Sequence, residues 1–235
     1  MKKTAYIIGT GPSLKDVDMS LLKDKDTITF NRAYVAFDDW GFEPTYYLAI
    51  DGNDLRSVYK DINRLIENSS IKKFFLYNPT DNNVHDPDSF QDNDKVETLF
   101  SESPKVEFFE TQDLVNNAGA MGLQVLHSLG YEEVAFVGCD ARYKDDSESN
   151  KHITMKGREY ISHADYDVNH FTDKYFGKGI HFGKPNESEI IALWKFAKSK
   201  IDKMDNFNVY SCTKDSNLNK FYNYIELEDF INGER

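Results

Sequence analysis

The chain has 235 residues, 40% of them apolar, which suffices for one large core. Forty acidic against 28 basic residues leave a formal net charge of -12, and that excludes broad nucleic-acid binding, which needs a basic face. The two cysteines, Cys139 and Cys212, give neither a disulfide framework nor a zinc spacing and fit a reducing cytoplasm.

Met1-Lys2-Lys3 leads directly into Ala5-Tyr6-Ile7-Ile8, an apolar run long enough for a buried strand and too short for a signal peptide. No stretch reaches the length of a membrane span, so the expected location is the cytoplasm, with any membrane contact peripheral. Gly9-Thr10-Gly11-Pro12-Ser13 follows at once. Two glycines one residue apart allow a tight turn and a close approach to bare backbone. Pro12 fixes φ and suits the first turn of a helix. Strand, glycine turn and helix start together make an anion site, because free N–H groups and the helix dipole point at one spot. The same residues equally suit a tight turn without a ligand. The third glycine of the dinucleotide fingerprint is missing, and no Gly-Lys-Ser/Thr of a P-loop follows.

Residues 16–23 read as a short helix or turn with Ser20 as a cap, and Thr27-Ile28-Thr29-Phe30 as a second strand ending at Asn31-Arg32. Tyr34, Val35 and Phe37 carry apolar surface into a loop with Gly41 and Pro44. Tyr46-Tyr47-Leu48-Ala49-Ile50 is a third strand, ending at Asp51-Gly52-Asn53-Asp54. The stripe Leu55, Val58, Tyr59, Ile62, Leu65, Ile66 predicts a helix over 55–68, and 73–77 is a fourth strand. The polar, acidic stretch 78–104 reads as a long surface excursion, followed by a fifth strand over 106–109. Residues 118–129 predict a helix whose Gly119 and Gly122 allow close packing or close ligand approach, with Gly130 as its stop. A sixth strand covers 133–138 and ends at Cys139-Asp140.

From 141 to 184 the apolar periodicity disappears while His152, His163, His170, His181 and four tyrosines accumulate, the pattern of a functional lid or a disordered loop. Pro185-Asn186-Glu187 opens a helix to about residue 203, with Ile190, Ile191, Leu193, Trp194, Ala197 and Ile201 inward; 207–211 is a last strand, and an extended tail and a closing turn follow. Strands alternating with helices give an α/β class with a mainly parallel sheet, in one domain over 1–235 with 141–184 as its lid segment. Ligands in such sheets sit beyond the carboxyl ends of strands, where Thr10, Ser13, Asn31, Arg32, Asp51, Asn53 and Asp140 collect. The 14 tyrosines and 17 phenylalanines suit ring or sugar stacking, a plain aromatic core, or a homo-oligomer.

Five blocks in this order resemble one family: Ile8-Gly9-Thr10-Gly11-Pro12-Ser13-Leu14-Lys15-Asp16-Val17-Asp18; Phe30-Asn31-Arg32; the strand ending at Asp51; Ala118-Gly119 through Leu129-Gly130-Tyr131 to Gly138-Cys139-Asp140; and His181 ahead of the long C-terminal helix. The chain resembles, over most of its length, the bacterial sialyltransferases of glycosyltransferase family 42 and the related MptE-like proteins. The resemblance implies a single modified Rossmann-like nucleotide-binding domain, and transfer of an acidic nine-carbon sugar from its CMP ester to a glycan hydroxyl, with inversion and with no required metal or other cofactor. It implies that Gly9, Thr10, Gly11, Pro12, Ser13, Asn31, Arg32, Asp51 and Asp140 line the donor cleft, with Gly119 against the donor. Tyr143 would be one of two tyrosines holding the leaving phosphate, with Tyr160 or Tyr166 the second. Transfer needs a base that titrates near neutrality, which suits histidine. His181 is the first candidate for that base, and His170 the second.

Departures from the family pattern leave the donor sugar open between sialic acid and another CMP-linked keto-acid such as Kdo. Asn116, Asn117 and Ala118 stand where the family has Arg and Thr/Ser, and Asp51 where it has Asn. A carboxylate beside an anionic donor is unfavourable unless it meets a hydroxyl or a metal. Two other readings stay open: a diphosphokinase acting on a hydroxymethylated pterin, with ATP and magnesium held by Asp51, Asp54 and Asp140, and a non-catalytic module that binds a nucleotide-sugar or glycan.

Overall fold

Both faces of the central strands are apolar, so the sheet must be covered on both sides. The computed structural model describes residues 2–50, 52–77, 93–99, 117–144, 153–155, 159–163, 165–183 and 186–234; at 52–57, 77, 153–155, 159, 160 and 181 it describes the backbone alone. In chain order the elements are β1 Thr4–Ile8, β2 Thr27–Phe30, α1 Phe37–Trp40, β3 Tyr46–Ala49, α2 Gly52–Asn68, β4 Lys73–Tyr77, β5 Val96–Leu99, α3 Ala118–Ser128 and β6 Glu133–Val137. There follow β7 Ile153–Met155, β8 Glu159–Ile161, β9 His181–Gly183, α4 Glu187–Ile201, β10 Asn208–Ser211, β11 Asn223–Tyr224 and α5 Leu227–Asn232.

Eight strands form one sheet in the order β11-β10-β6-β1-β2-β3-β4-β5, and every pair in it is parallel. The chain builds outward from β1 to β5 on one side and then from β6 to β11 on the other. The direction therefore reverses at the β1–β6 pair, where Ile7 sits opposite Phe136 and Ile8 opposite Val137. In open parallel sheets that reversal leaves a crevice beyond the strand ends.

One face packs Ile7, Ile28, Leu48 and Phe136 against Leu123 and Leu126 of α3 and Trp194 and Ala197 of α4. The other face buries Tyr6, Ile8 and Val137 with Leu14, Leu22, Phe230 and, from the segment 165–176, Phe171 and Tyr175. At the far side Val58, Ile62 and Ile66 of α2 cover Tyr47, Phe74 and Leu76.

Several expectations are corrected. The excursion read over 78–104 contains β5, an edge strand whose Val96 and Leu99 pair with β4; residues 78–92 and 100–104, and the strand expected over 106–109, lie outside the described residues. The cap of the second short helical turn, Met19–Leu22, is Asp18, whose side chain accepts from Ser20 N–H, so Ser20 is not the cap. After β2 a 3-10 turn, Asn31–Ala36, runs into α1 where a loop was expected. The lid interval holds an antiparallel sheet β7-β8-β9, and β10 is followed by a further parallel strand, β11.

Candidate functional site

The ends of β1 and β6 are locked together. Gly9 N–H donates to the Val137 carbonyl and Gly11 N–H to the Gly138 carbonyl, each at 2.8 Å. A Cβ on Gly9 would lie 2.3 Å from the Gly138 oxygen, and one on Gly11 2.0 Å from an Asp140 carboxylate oxygen. The neighbouring strand end thus requires both glycines. Pro12 opens a five-residue 3-10 helix, Pro12–Asp16, in the place the sequence predicts for it. Ser13 Oγ donates to Asp140 Oδ2 at 2.7 Å, with Ser13 N–H at 3.4 Å from the same oxygen, and Leu14 N–H donates to the Gly11 carbonyl.

The anion cradled by this turn is therefore the protein's own carboxylate. The expectation of free N–H groups aimed at a ligand is corrected for Gly9, Gly11 and Ser13, because β6 rises beside them and engages those donors. Burial raises the Asp140 carboxyl above its ordinary range, against a smaller lowering by Ser13. Thr10, Gly11, Pro12 and Ser13 stay partly exposed at the rim.

Two residues beside this rim take left-handed backbone, Asn31 with φ 54 after β2 and Ala141 with φ 48 after β6. Such conformations are costly for residues other than glycine and gather at functional sites. The Tyr47 hydroxyl donates to the Asn31 carbonyl. Arg32 is buried, and its Nε donates to the Tyr175 carbonyl at 2.6 Å.

The segment 165–176 crosses these strand ends. Phe171 N–H donates to the Thr10 carbonyl at 3.2 Å. His170 Nδ1 lies 2.7 Å from Asp167 Oδ2, and both residues are buried. An ionised Asp167 accepts from Nδ1–H, which in the neutral ring leaves Nε2 as the acceptor. Asp167 Oδ1 also accepts from Asn169 N–H at 2.9 Å. The His170 ring stacks on Tyr175 with centroids 3.9 Å apart and meets Phe176 edge-on at 4.8 Å.

Lys144 N–H donates to Asn169 Oδ1 at 2.7 Å, and Asn169 Nδ2 donates back to the Lys144 carbonyl at 3.1 Å. This clasp joins the loop after β6, which carries Tyr143, to the loop carrying His170. Tyr143 N–H donates in turn to Glu187 Oε2 at 2.8 Å, at the start of α4.

The structure thus brings together Thr10, Pro12, Ser13, Asn31, Arg32, Asp140, Tyr143 and His170. Gly119 sits in the first turn of α3, where a Cβ would fall 2.4 Å from Trp194 Cζ2, so its bare face meets the indole. His181 lies in β9 opposite Ile161, and its side chain is outside the described residues, as are Asp51 and the side chains of Asp54 and Tyr160. Tyr166 is exposed. The residues that sequence reasoning missed are Asp167, Asn169, Tyr175 and Glu187. Of these Asp167 alone had a local signal, a carboxylate three residues before a histidine.

No family model matches the chain, and no curated protein matches it. Solved structures do. A MAf glycosyltransferase from Magnetospirillum magneticum AMB-1 superposes on 98% of this chain with a TM-score of 0.56 at 16% identity. The sialyltransferase CstII from Campylobacter jejuni, in complex with a substrate analogue, cytidine-5'-monophosphate, superposes on 94% of this chain and 84% of its own, with a TM-score of 0.51 at 17% identity. The fold is that of known glycosyltransferases. The chain spans 34% of the Magnetospirillum protein. Among the described residues no helix is long and apolar enough to cross a membrane.

Proposed function

We propose that this chain is an inverting, metal-independent glycosyltransferase that moves an acidic keto-sugar, of the sialic acid or Kdo type, from its CMP ester to a hydroxyl of a glycan acceptor. The observation that carries this reading is the His170–Asp167 pair tied over the β1–β6 switch point, in a fold shared with a sialyltransferase solved with cytidine monophosphate.

The chemistry needs a base for the acceptor hydroxyl and donors for the leaving phosphate. The acceptor oxygen bonds to the anomeric carbon as its proton passes to a histidine nitrogen. The carbon–oxygen bond to phosphate breaks, and its electron pair leaves with CMP. A single displacement of this kind inverts the centre. His181 is the candidate base that the resemblance supplies. His170 is the one held by a described carboxylate, with Nε2 left to accept a proton. Tyr143 would donate to the leaving phosphate, with Thr10, Asn31 and, by the resemblance, Asp51 along the donor cleft.

The test is acceptor-dependent release of CMP from CMP-sialic acid and from CMP-Kdo, in EDTA, across a panel of glycans. The expected result is turnover that survives EDTA and is lost in His181→Ala or His170→Gln. Binding of CMP with no release from either donor would leave a binding module. Turnover confined to ATP, magnesium and a hydroxymethylated pterin would make the chain a diphosphokinase.

A further inference from the structure

Arg32 is 8% exposed, and a guanidinium carries five N–H donors and a charge that does not titrate away. The described structure engages one donor, Nε, on the Tyr175 carbonyl. The guanidinium carbon stands 5.9 Å from the Tyr34 ring centroid, a long cation–π contact. Among the described residues no carboxylate lies within ion-pair distance of Arg32. Asp61, beyond Tyr34, is otherwise occupied: Tyr34 Oη donates to its Oδ2 at 2.9 Å, and Arg64 pairs with its Oδ1 at 3.3 Å. A buried cation without a counter-charge is strongly disfavoured, so a buried guanidinium calls for an anionic partner.

The position fits that purpose. Arg32 leaves β2 directly after the left-handed Asn31, beside the strand end that carries Thr10. Tyr175 joins it to the candidate catalytic histidine: the carbonyl accepts from Arg32 and the ring stacks on His170. A guanidinium whose terminal nitrogens have no acceptor among the described residues presents a flat fork, which matches a carboxylate or phosphate with two parallel hydrogen bonds. We infer that Arg32 is an oxyanion-binding residue that reads the carboxylate or the phosphate of the bound donor within reach of His170. This deepens the transferase reading and takes the identity of the ligand from it.

The experiment follows the guanidinium itself. Arginine side-chain nitrogens are labelled, the Arg32 signal is assigned by its loss in Arg32→Lys, and the full chain is titrated with CMP-sialic acid, CMP, free sialic acid, ATP and cytidine. The affinities of Arg32→Gln and Arg32→Lys for the same probes are measured in parallel. The inference expects the Arg32 signal to move with at least one oxyanion-bearing probe and not with cytidine. It also expects Arg32→Gln to weaken that probe roughly 10- to 100-fold, with partial recovery in Arg32→Lys. A response to free sialic acid and not to CMP assigns the carboxylate; the converse assigns the phosphate. An Arg32 signal that no anion moves overturns the inference. So does an Arg32→Gln variant that loses cytidine as steeply as the anions, since Arg32 would then only strap the 165–176 segment to β2. An anion response in a protein that releases no CMP from any donor keeps the oxyanion site and removes the transferase reading.

Discussion

Ser13 and Asp140 are 127 residues apart in sequence and 2.7 Å apart in the fold, and their hydrogen bond closes the glycine turn against the end of β6. Burial lifts the Asp140 carboxyl above its ordinary 3.8, and the Ser13 hydrogen bonds oppose that only in part. A carboxyl raised on folding binds its proton more tightly in the folded state. Its contribution to stability is complete below the unfolded value and is lost as pH rises through the folded value. Asparagine keeps an acceptor for Ser13 and does not titrate. As pH rises from about 3.8 through the folded value, the stability of Asp140→Asn relative to the parent should therefore rise. Urea midpoints across that range measure it, and a flat difference would refute the shift. Ser13→Ala removes the side-chain hydrogen bond, the larger of the two that oppose the rise, and should extend the window upward.

The two glycines of the turn fail for different reasons when filled. A methyl on Gly11 strikes the Asp140 carboxylate, whereas one on Gly9 strikes the Gly138 backbone. Gly11→Ala should cost roughly 1–3 kcal/mol. Adding Asp140→Ala should return part of that, with a coupling of at least about 0.5 kcal/mol. Gly9→Ala should gain nothing from the same second change. Denaturant unfolding of the parent, the three single variants and the two double variants measures both cycles, and strict additivity at Gly11 would contradict the contact.

The elements that could be read from sequence are those whose apolar runs are local. Ala5 to Ile8, Thr27 to Phe30 and 73–77 announce β1, β2 and β4, because a strand buried on both faces is a short continuous apolar block. β5 offers only Val96 and Leu99 within an acidic stretch, and its pairing with β4 overrides that polarity. β7, β8 and β9 are three residues each, too short to show any period. The candidate site divides in the same way. Thr10, Asn31, Arg32 and Asp140 follow strand ends and were legible. The clasp of Asn169 on Lys144 and the stack of Tyr175 on His170 arise from how two loops cross, which no spacing encodes.

That clasp predicts where the segment opens. The Asn169 side chain makes both hydrogen bonds to Lys144, and Asn169→Ala removes them together. The loss should be about 1–2 kcal/mol and confined to the loops carrying Tyr143 and His170. Native-state hydrogen exchange should show the Lys144 and Phe171 amides exchanging faster, with the amides of β1 and β6 unchanged. A uniform acceleration across the sheet would instead make the clasp part of the global core. With a glycosyl donor, the Michaelis constant should rise more than the turnover number falls.

The roles of His170 and His181 separate at Asp167. Asp167→Ala strips partners from His170 Nδ1 and the Asn169 amide in a buried place, so it should cost roughly 2–4 kcal/mol and report mainly on folding. Asp167→Asn is the sharper change. Its carbonyl can still accept from Asn169 N–H, while its amide N–H turns toward His170 Nδ1 and stabilises the tautomer protonated at Nε2. That tautomer has no lone pair at Nε2 for an incoming hydroxyl. If His170 is the base, Asp167→Asn should lower turnover by roughly 10²- to 10⁴-fold, while its urea midpoint stays near that of the parent and its affinity for CMP is unchanged. A variant that folds, binds CMP and turns over at the parent rate would remove His170 from the chemistry and leave His181 as the base to be tested.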